Sequence, residues 1–128
     1  MAKLRHIAMQ VPDLQKAAHF YESVFELKRV GEVESPVGNA ISLSDGIMNL
    51  TLLHFPDGKG GMINGPDWAG LHHFGFVVDD KTETVARIDD AGGEFFMELP
   101  SFPGVDAESK YKDVNGVVFD VSDHDWRL

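Results

Sequence analysis

The chain has 128 residues, with 11 Lys and Arg against 21 Asp and Glu for a net charge of −10, and it contains no cysteine. That balance argues against phosphate-backbone and anionic-membrane surfaces, and the missing cysteine excludes disulfides, thiolate metal ligands and cysteine nucleophiles. At 43% hydrophobic and 25% charged, the chain is too apolar for disorder and suits one globular domain over 1–128.

The first strand-like segment runs from Leu4 to Val11. Asp13 then caps a helix through about Leu27, with Leu14, Ala17, Ala18, Tyr21, Val24 and Phe25 at three- and four-residue spacing. Three strand-like stretches follow near Lys28–Glu34, Asn39–Ser44 and Ile47–His54, separated by Ser35-Pro36 and Asp45-Gly46 turns. Residues 56–70 are rich in glycine and form a linker. No Gly-Lys-Ser/Thr follows to make it a phosphate loop, but Met62, Ile63 and Trp68 suit a lid that adds apolar contacts to a ligand. A fifth strand over Leu71–Val78 precedes a helix opened by Asp80 or Lys81, carrying Val85, Ile88 and Ala91 and stopped by Gly92-Gly93. The last strands fall near Glu94–Glu98, Ser109–Asp113 and Val117–Ser122, with an Asn115-Gly116 turn.

This order repeats itself. Leu4–Asp13 aligns with Leu71–Asp80 at a constant offset of 67, with four of ten positions identical: Leu4/Leu71, His6/His73, Val11/Val78 and Asp13/Asp80. The expected architecture is α+β, built from two tandem βαβββ modules over about 1–55 and 71–128.

Side chains alternate across a strand, so parity sorts each strand into two faces. Ile7, Met9 and Val11 share the face that packs on a helix, which leaves His6, Ala8 and Gln10 opposite. Phe74, Phe76 and Val78 likewise leave His73, Gly75 and Val77 opposite. In the last strand Val117, Phe119 and Val121 form the apolar stripe, and Asp120 faces the other way with Val118 and Ser122. Taken singly, either histidine reads as a hydrogen-bonded strand residue. Their equivalent repeat positions beside small residues, with a mid-strand acid that needs compensation, point to a His6, His73 and Asp120 metal site. His72 has the wrong parity and reads as a neighbour. His19 lies on a helix surface, while His54 and His124 sit at strand ends with no assigned role. Phe55, Met62, Trp68, Phe102 and Trp126 are loop aromatics or apolar residues available to a pocket, and Tyr111 has no fixed register.

His6-Ile7-Ala8-Met9 through Asp13, Phe20-Tyr21 with Val24–Leu27, Leu71–Asp80 and Asp113–Asp120 together resemble the vicinal oxygen chelate superfamily over nearly the whole chain. That superfamily includes glyoxalase I, extradiol dioxygenases, methylmalonyl-CoA epimerase and the fosfomycin- and bleomycin-resistance proteins. The resemblance implies a curved, half-barrel mixed sheet with helices on its outer face. It also implies one divalent ion (Fe, Mn, Zn, Ni or Co) on His6, His73 and Asp120, where the family normally has Glu at the last position.

The family's fourth position falls by resemblance at Asn49, where glyoxalase I has a Glu and the epimerase a Gln, and the epimerase's catalytic Glu falls near Asn39. Both departures weigh against proton-shuttling chemistry and leave the catalytic acid–base residue unassigned. The resemblance thus implies a metal-dependent dioxygenase-like or lyase/isomerase-like enzyme, with Gln10, Asn49 and Trp68 as substrate-binding residues. The alternative is a metal-free small-molecule or drug-binding protein of the bleomycin-resistance type. A homodimer is expected from small relatives of this build, some of which complete each site across two chains. With no apolar run near 18 residues and no signal-peptide core at Met1–His6, the expected location is cytoplasmic, without nucleic-acid or membrane partners.

Overall fold

The computed structural model describes residues 1–58, 60–101 and 103–128. Its elements are β1 (Lys3–Gln10), α1 (Leu14–Phe25), β2 (Lys28–Ser35), β3 (Gly38–Ser44) and β4 (Asn49–His54), then β5 (Gly70–Val77), α2 (Lys81–Asp90), β6 (Glu94–Leu99), β7 (Glu108–Lys112) and β8 (Val118–Ser122). A 3-10 turn, Pro56–Gly58, lies between the halves. Both modules have the expected strand, helix, strand, strand, strand order, and the boundaries fall within a residue or two of the sequence reading.

The helix starts arise from the repeated aspartates. The Asp13 carboxylate accepts from the Lys16 backbone N–H at 3.0 Å, and Asp80 does the same for Glu83 at 3.0 Å. Each cap satisfies one of the donors that a helix start leaves without an intrahelical partner. Helix α1 stops short of Leu27 because Glu26 adopts a left-handed conformation, φ 57°, which turns the chain into β2.

The eight strands form one mixed sheet in the order β2-β3-β4-β1-β5-β8-β7-β6. Strand β1 runs parallel to β4, β5 runs parallel to β8, and β1 meets β5 antiparallel at the centre. The order reads the same from both ends, so the duplication is expressed as a pseudo-twofold axis between β1 and β5. All eight strands line a single cavity, from Val33 on β2 to Leu99 on β6, so the sheet is strongly curved; its two edge strands do not pair.

Alternation fixes what lies on each face. Ile41, Leu43 and Leu52 pack with Val11 and Ala18 into a core under α1, which Met9, Tyr21 and Leu50 extend. A smaller core of Val78, Tyr111 and Val121 lies under α2, with Phe76, Val85, Ile88 and Phe119 around it. The intervening residues, Ala40, Ser42, Thr51 and Leu53, line the cavity instead. Tyr111, whose register the sequence left open, is therefore a core residue; its ring stacks on Phe119 and meets Phe95 edge-on. No helix among the described residues is long and apolar enough to cross a membrane.

Leu52 has no exposed surface, so its truncation leaves a hole between sheet and helix. Leu52→Ala should lower unfolding stability by about 2–5 kcal/mol in urea titrations, while Val114→Ala, at a 72% exposed position, should stay within about 0.5 kcal/mol.

Candidate metal centre

The central β1–β5 pair carries two register shifts, one between Leu4 and His6 and one between Ala8 and Met9. Across the first, β1 advances two residues against one of β5, so Arg5 is the extra residue. Across the second, His73 to Leu71 faces Ala8 to Met9, so His72 is the extra residue. These bulges bring Nε2 of His6 to 3.2 Å from Nε2 of His73 within one chain. Asp120, opposite Gly75 on the adjoining strand, places Oδ2 3.2 Å from Nε2 of His73. The three expected ligand residues are thus brought together and buried, with one candidate ligand atom from each lying within 4.8 Å of the others.

The surrounding hydrogen bonds determine which nitrogen of each ring faces inward. Asn49 Nδ2 donates to the Arg127 carbonyl at 2.8 Å, so Asn49 Oδ1 must be the atom that faces His6. His6 Nδ1–H therefore donates to Asn49 Oδ1 at 2.8 Å, and Nε2 of His6 keeps its lone pair. Thr51 Oγ1 donates to the same oxygen at 2.8 Å, and Ser42 Oγ, 2.9 Å from Thr51 Oγ1, donates in turn.

On the other side His72 Nε2–H donates to the Gly61 carbonyl at 2.7 Å, which leaves His72 Nδ1 as an acceptor for Nδ1–H of His73 at 2.8 Å. A neutral His73 then also directs its Nε2 lone pair inward. Parity had set His72 aside as a neighbour. The bulge turns it onto the same side as His73, where it holds that ring and ties it to the linker.

The charges at this centre come from module two. Lys110 on β7 pairs in register with Asp120, and its Nζ lies 2.8 Å from Asp120 Oδ1, 2.9 Å from Glu108 Oε2 and 3.4 Å from His73 Nε2. Burial would raise the Asp120 pKa, but the protonated form of His73, whose Nε2–H would face Oδ2, and the Lys110 ammonium outweigh it and hold the carboxyl down to about 2. Burial also opposes the charge on Lys110; Glu108 and Asp120 more than offset it, so the ammonium titrates above its usual range. His6 is pushed down to about 3, chiefly by burial and then by His73, so it is neutral at physiological pH. With His73 neutral, Asp120 Oδ2 is buried and receives no hydrogen bond among the described residues.

The centre forms the floor of a cavity of about 820 Å³ whose walls include Val33, Val37, Leu53, Phe55 and Leu99. Trp126 closes one side; its ring lies parallel to His6, with centroids 4.7 Å apart. Gly75 makes this possible, because a methyl there would sit 2.7 Å from the Trp126 ring.

The residues expected to bind substrate are placed differently from one another. Asn49 lines the cavity, but its amide is occupied by His6, Thr51 and Arg127. Gln10 is a loop clamp: its amide donates to the carbonyls of Ile63 and Gly65 at 2.9 and 3.0 Å and accepts from Ile63 N–H at 2.8 Å. Trp68 packs over Gly70 and is not among the cavity-lining residues. Phe102 lies outside the described residues.

The register also reassigns the fourth position. Ala8 pairs with Thr51 and its repeat equivalent Gly75 pairs with Asp120, so the counterpart of Asp120 is Thr51 and not Asn49. Asn39 does not line this cavity. Among the described lining residues, module one contributes no Asp or Glu, whereas module two contributes Asp106, Glu108, Asp120 and Asp125. Sequence reasoning missed Lys110 and Glu108. The signal that finds them is the β7 register, once Tyr111 is assigned to the core.

Solved structures with this fold include a hypothetical protein from Bacillus halodurans C-125, 18% identical, covering 99% of this chain and 97% of that one at a TM-score of 0.79. A methylmalonyl-CoA epimerase in complex with methylmalonyl-CoA and NH4+ is 19% identical, with 94% and 93% coverage and a TM-score of 0.73. The methylmalonyl-CoA epimerase from Mycobacterium tuberculosis is 16% identical, with 92% and 85% coverage and a TM-score of 0.74. At these identities the likeness is one of fold. No curated protein matches the sequence. Residues 3–121 match the Glyoxalase/Bleomycin resistance protein/Dioxygenase superfamily, and the chain belongs to that superfamily.

Proposed function

We propose that the protein is a divalent-metal-dependent enzyme that acts on a small oxygen-chelating substrate, with His6, His73 and Asp120 as the ligands. One observation carries this reading. With both rings neutral, two imidazole lone pairs, each fixed by a hydrogen bond at the far side of its ring, converge beside a buried carboxylate oxygen that no donor then satisfies among the described residues. Three such acceptors repel one another in a low-dielectric pocket, and a cation among them removes the conflict. Two nitrogens and one carboxylate oxygen suit Fe, Mn, Zn, Ni or Co, and all three residues border the cavity. Such an ion supplies Lewis-acid polarisation of chelated oxygens and, as iron, redox chemistry.

The chain's own residues do the rest. Asn49 and His72 hold the ring tautomers, Trp126 shields the His6 side from water, and the apolar walls receive the body of the substrate. Glu108, with a side chain 21% exposed at the cavity wall, is the carboxylate available for proton exchange. No carboxylate faces it from module one among the described residues. This one-sidedness weighs against a mechanism that uses two carboxylates on opposite walls, and favours chemistry centred on the chelated oxygens.

A second reading, a metal-free binding protein of the bleomycin-resistance type, is supported by Lys110, which already neutralises Asp120, and by the apolar cavity walls.

Elemental analysis of protein purified without chelator should find close to one divalent ion per chain, lost in both His6→Ala and Asp120→Ala while circular dichroism is unchanged. No metal after reconstitution, with tight binding of an aromatic cation, would establish the second reading instead.

The tautomer locks should be measurable apart from the ligands. Asn49→Ala and His72→Phe should each weaken metal affinity by about 10–100-fold in chelator competition, because they remove the group that orients a ligand ring.

A further inference from the structure

Lys110 is buried at 7% exposure at the cavity floor, where a strand lysine more often reaches solvent. Its ammonium has three N–H donors. Two are taken by Glu108 and Asp120, at 2.9 and 2.8 Å, and the third faces Nε2 of His73 at 3.4 Å. That nitrogen has one lone pair, which cannot serve an ion and an N–H together. A loaded centre therefore leaves Lys110 with a buried donor and no protein acceptor among the described residues, a condition that native structures resolve with a further partner. The charge count points the same way. Taking a divalent ion with Lys110, Asp120 and Glu108, the centre keeps about one net positive charge. The walls above it include the apolar side chains of Val33, Val37, Leu53, Phe55 and Leu99.

We propose that Lys110 is the substrate-positioning cation of this cavity, giving its third N–H to an anionic oxygen of a ligand held at the His6–His73–Asp120 centre. The ligand class is then a small carboxylate with an apolar body. The proposal rests on the metal-centre reading above, and it names a specificity residue that the charge pattern of the sequence, at −10 overall, does not suggest.

The test uses zinc-loaded protein and two probes of nearly equal shape, mandelate and its neutral analogue mandelamide, titrated by calorimetry after zinc content has been measured. Wild type should bind mandelate at least tenfold more tightly than mandelamide. Zinc alone favours a carboxylate over an amide, so Lys110→Met should cut that preference at least threefold by weakening mandelate alone, and Lys110→Arg should keep it. Glu108→Gln frees the ammonium of one competing carboxylate, so it should enlarge the preference.

A merely structural lysine would weaken both probes together or neither. Zinc uptake with no mandelate preference in wild type, or a preference undiminished in Lys110→Met, overturns the proposal and leaves the metal centre standing. Failure to take up zinc overturns both. Should Lys110→Met not fold, an unchanged preference in Glu108→Gln overturns the proposal on its own.

Discussion

The antiparallel pairing of β1 with β5 is the constraint on which the rest of the molecule depends. Each module alone is a four-stranded sheet with one helix and a small core, and each ends at an unpaired first strand. Joining those two strands completes the sheet and places the two repeats of one sequence motif back to back. Because the bulges at Arg5 and His72 fall in this pair, the ligand-bearing faces are re-aimed where the halves meet. The helices are left on one face and the cavity on the other.

The duplication is exact in topology and broken in chemistry. In module two, Lys110 of β7 pairs with Asp120 of β8 as a buried ion pair at 2.8 Å. The equivalent pair in module one is Ser42 of β3 with Thr51 of β4, two hydroxyls 2.9 Å apart. The hydroxyl pair hands its hydrogen bond to Asn49, and through Asn49 it fixes His6. One half thus supplies the charge and the other supplies the orientation. Neither half repeats the work of its twin.

This division explains what could be read from the sequence. Parity alone placed His6, His73 and Asp120 on the faces opposite the helix-packing stripes, because alternation is set by backbone geometry and each of these residues keeps the phase of its own apolar stripe. Asp13 and Asp80 announced the helix starts for the same local reason. Lys110 was not legible, since Tyr111 can face either a core or a cavity until it is found between Phe95 and Phe119, and the charged face of Glu108, Lys110 and Lys112 otherwise reads as a solvated edge. His72 was misplaced because a bulge breaks the period on which parity depends. Gln10 and Trp68 depend on where residues 56–70 settle, and that is decided by single hydrogen bonds and ring contacts such as Gln10 with Ile63 and Gly65, which leave no periodic trace.

A buried carboxylate can be compensated in more than one way, and the geometry distinguishes between them. Had the fold needed only to neutralise Asp120, Lys110 on Oδ1 would suffice, and the histidines could turn either nitrogen inward. Instead, two separate networks, one through Asn49 to the Arg127 carbonyl and one through His72 to the Gly61 carbonyl, turn the Nε2 lone pairs of both neutral rings toward the side where Oδ2 then lies without a donor. Orienting acceptors against one another has an electrostatic cost that a purely structural cluster gains nothing by bearing. The arrangement becomes favourable when positive charge stands among the three acceptors, and Lys110, tied to Oδ1 and Glu108, approaches only from one side. The hydrogen bonds around this cluster therefore support the proposed ligand set, and the place of Lys110 supports the role proposed for it.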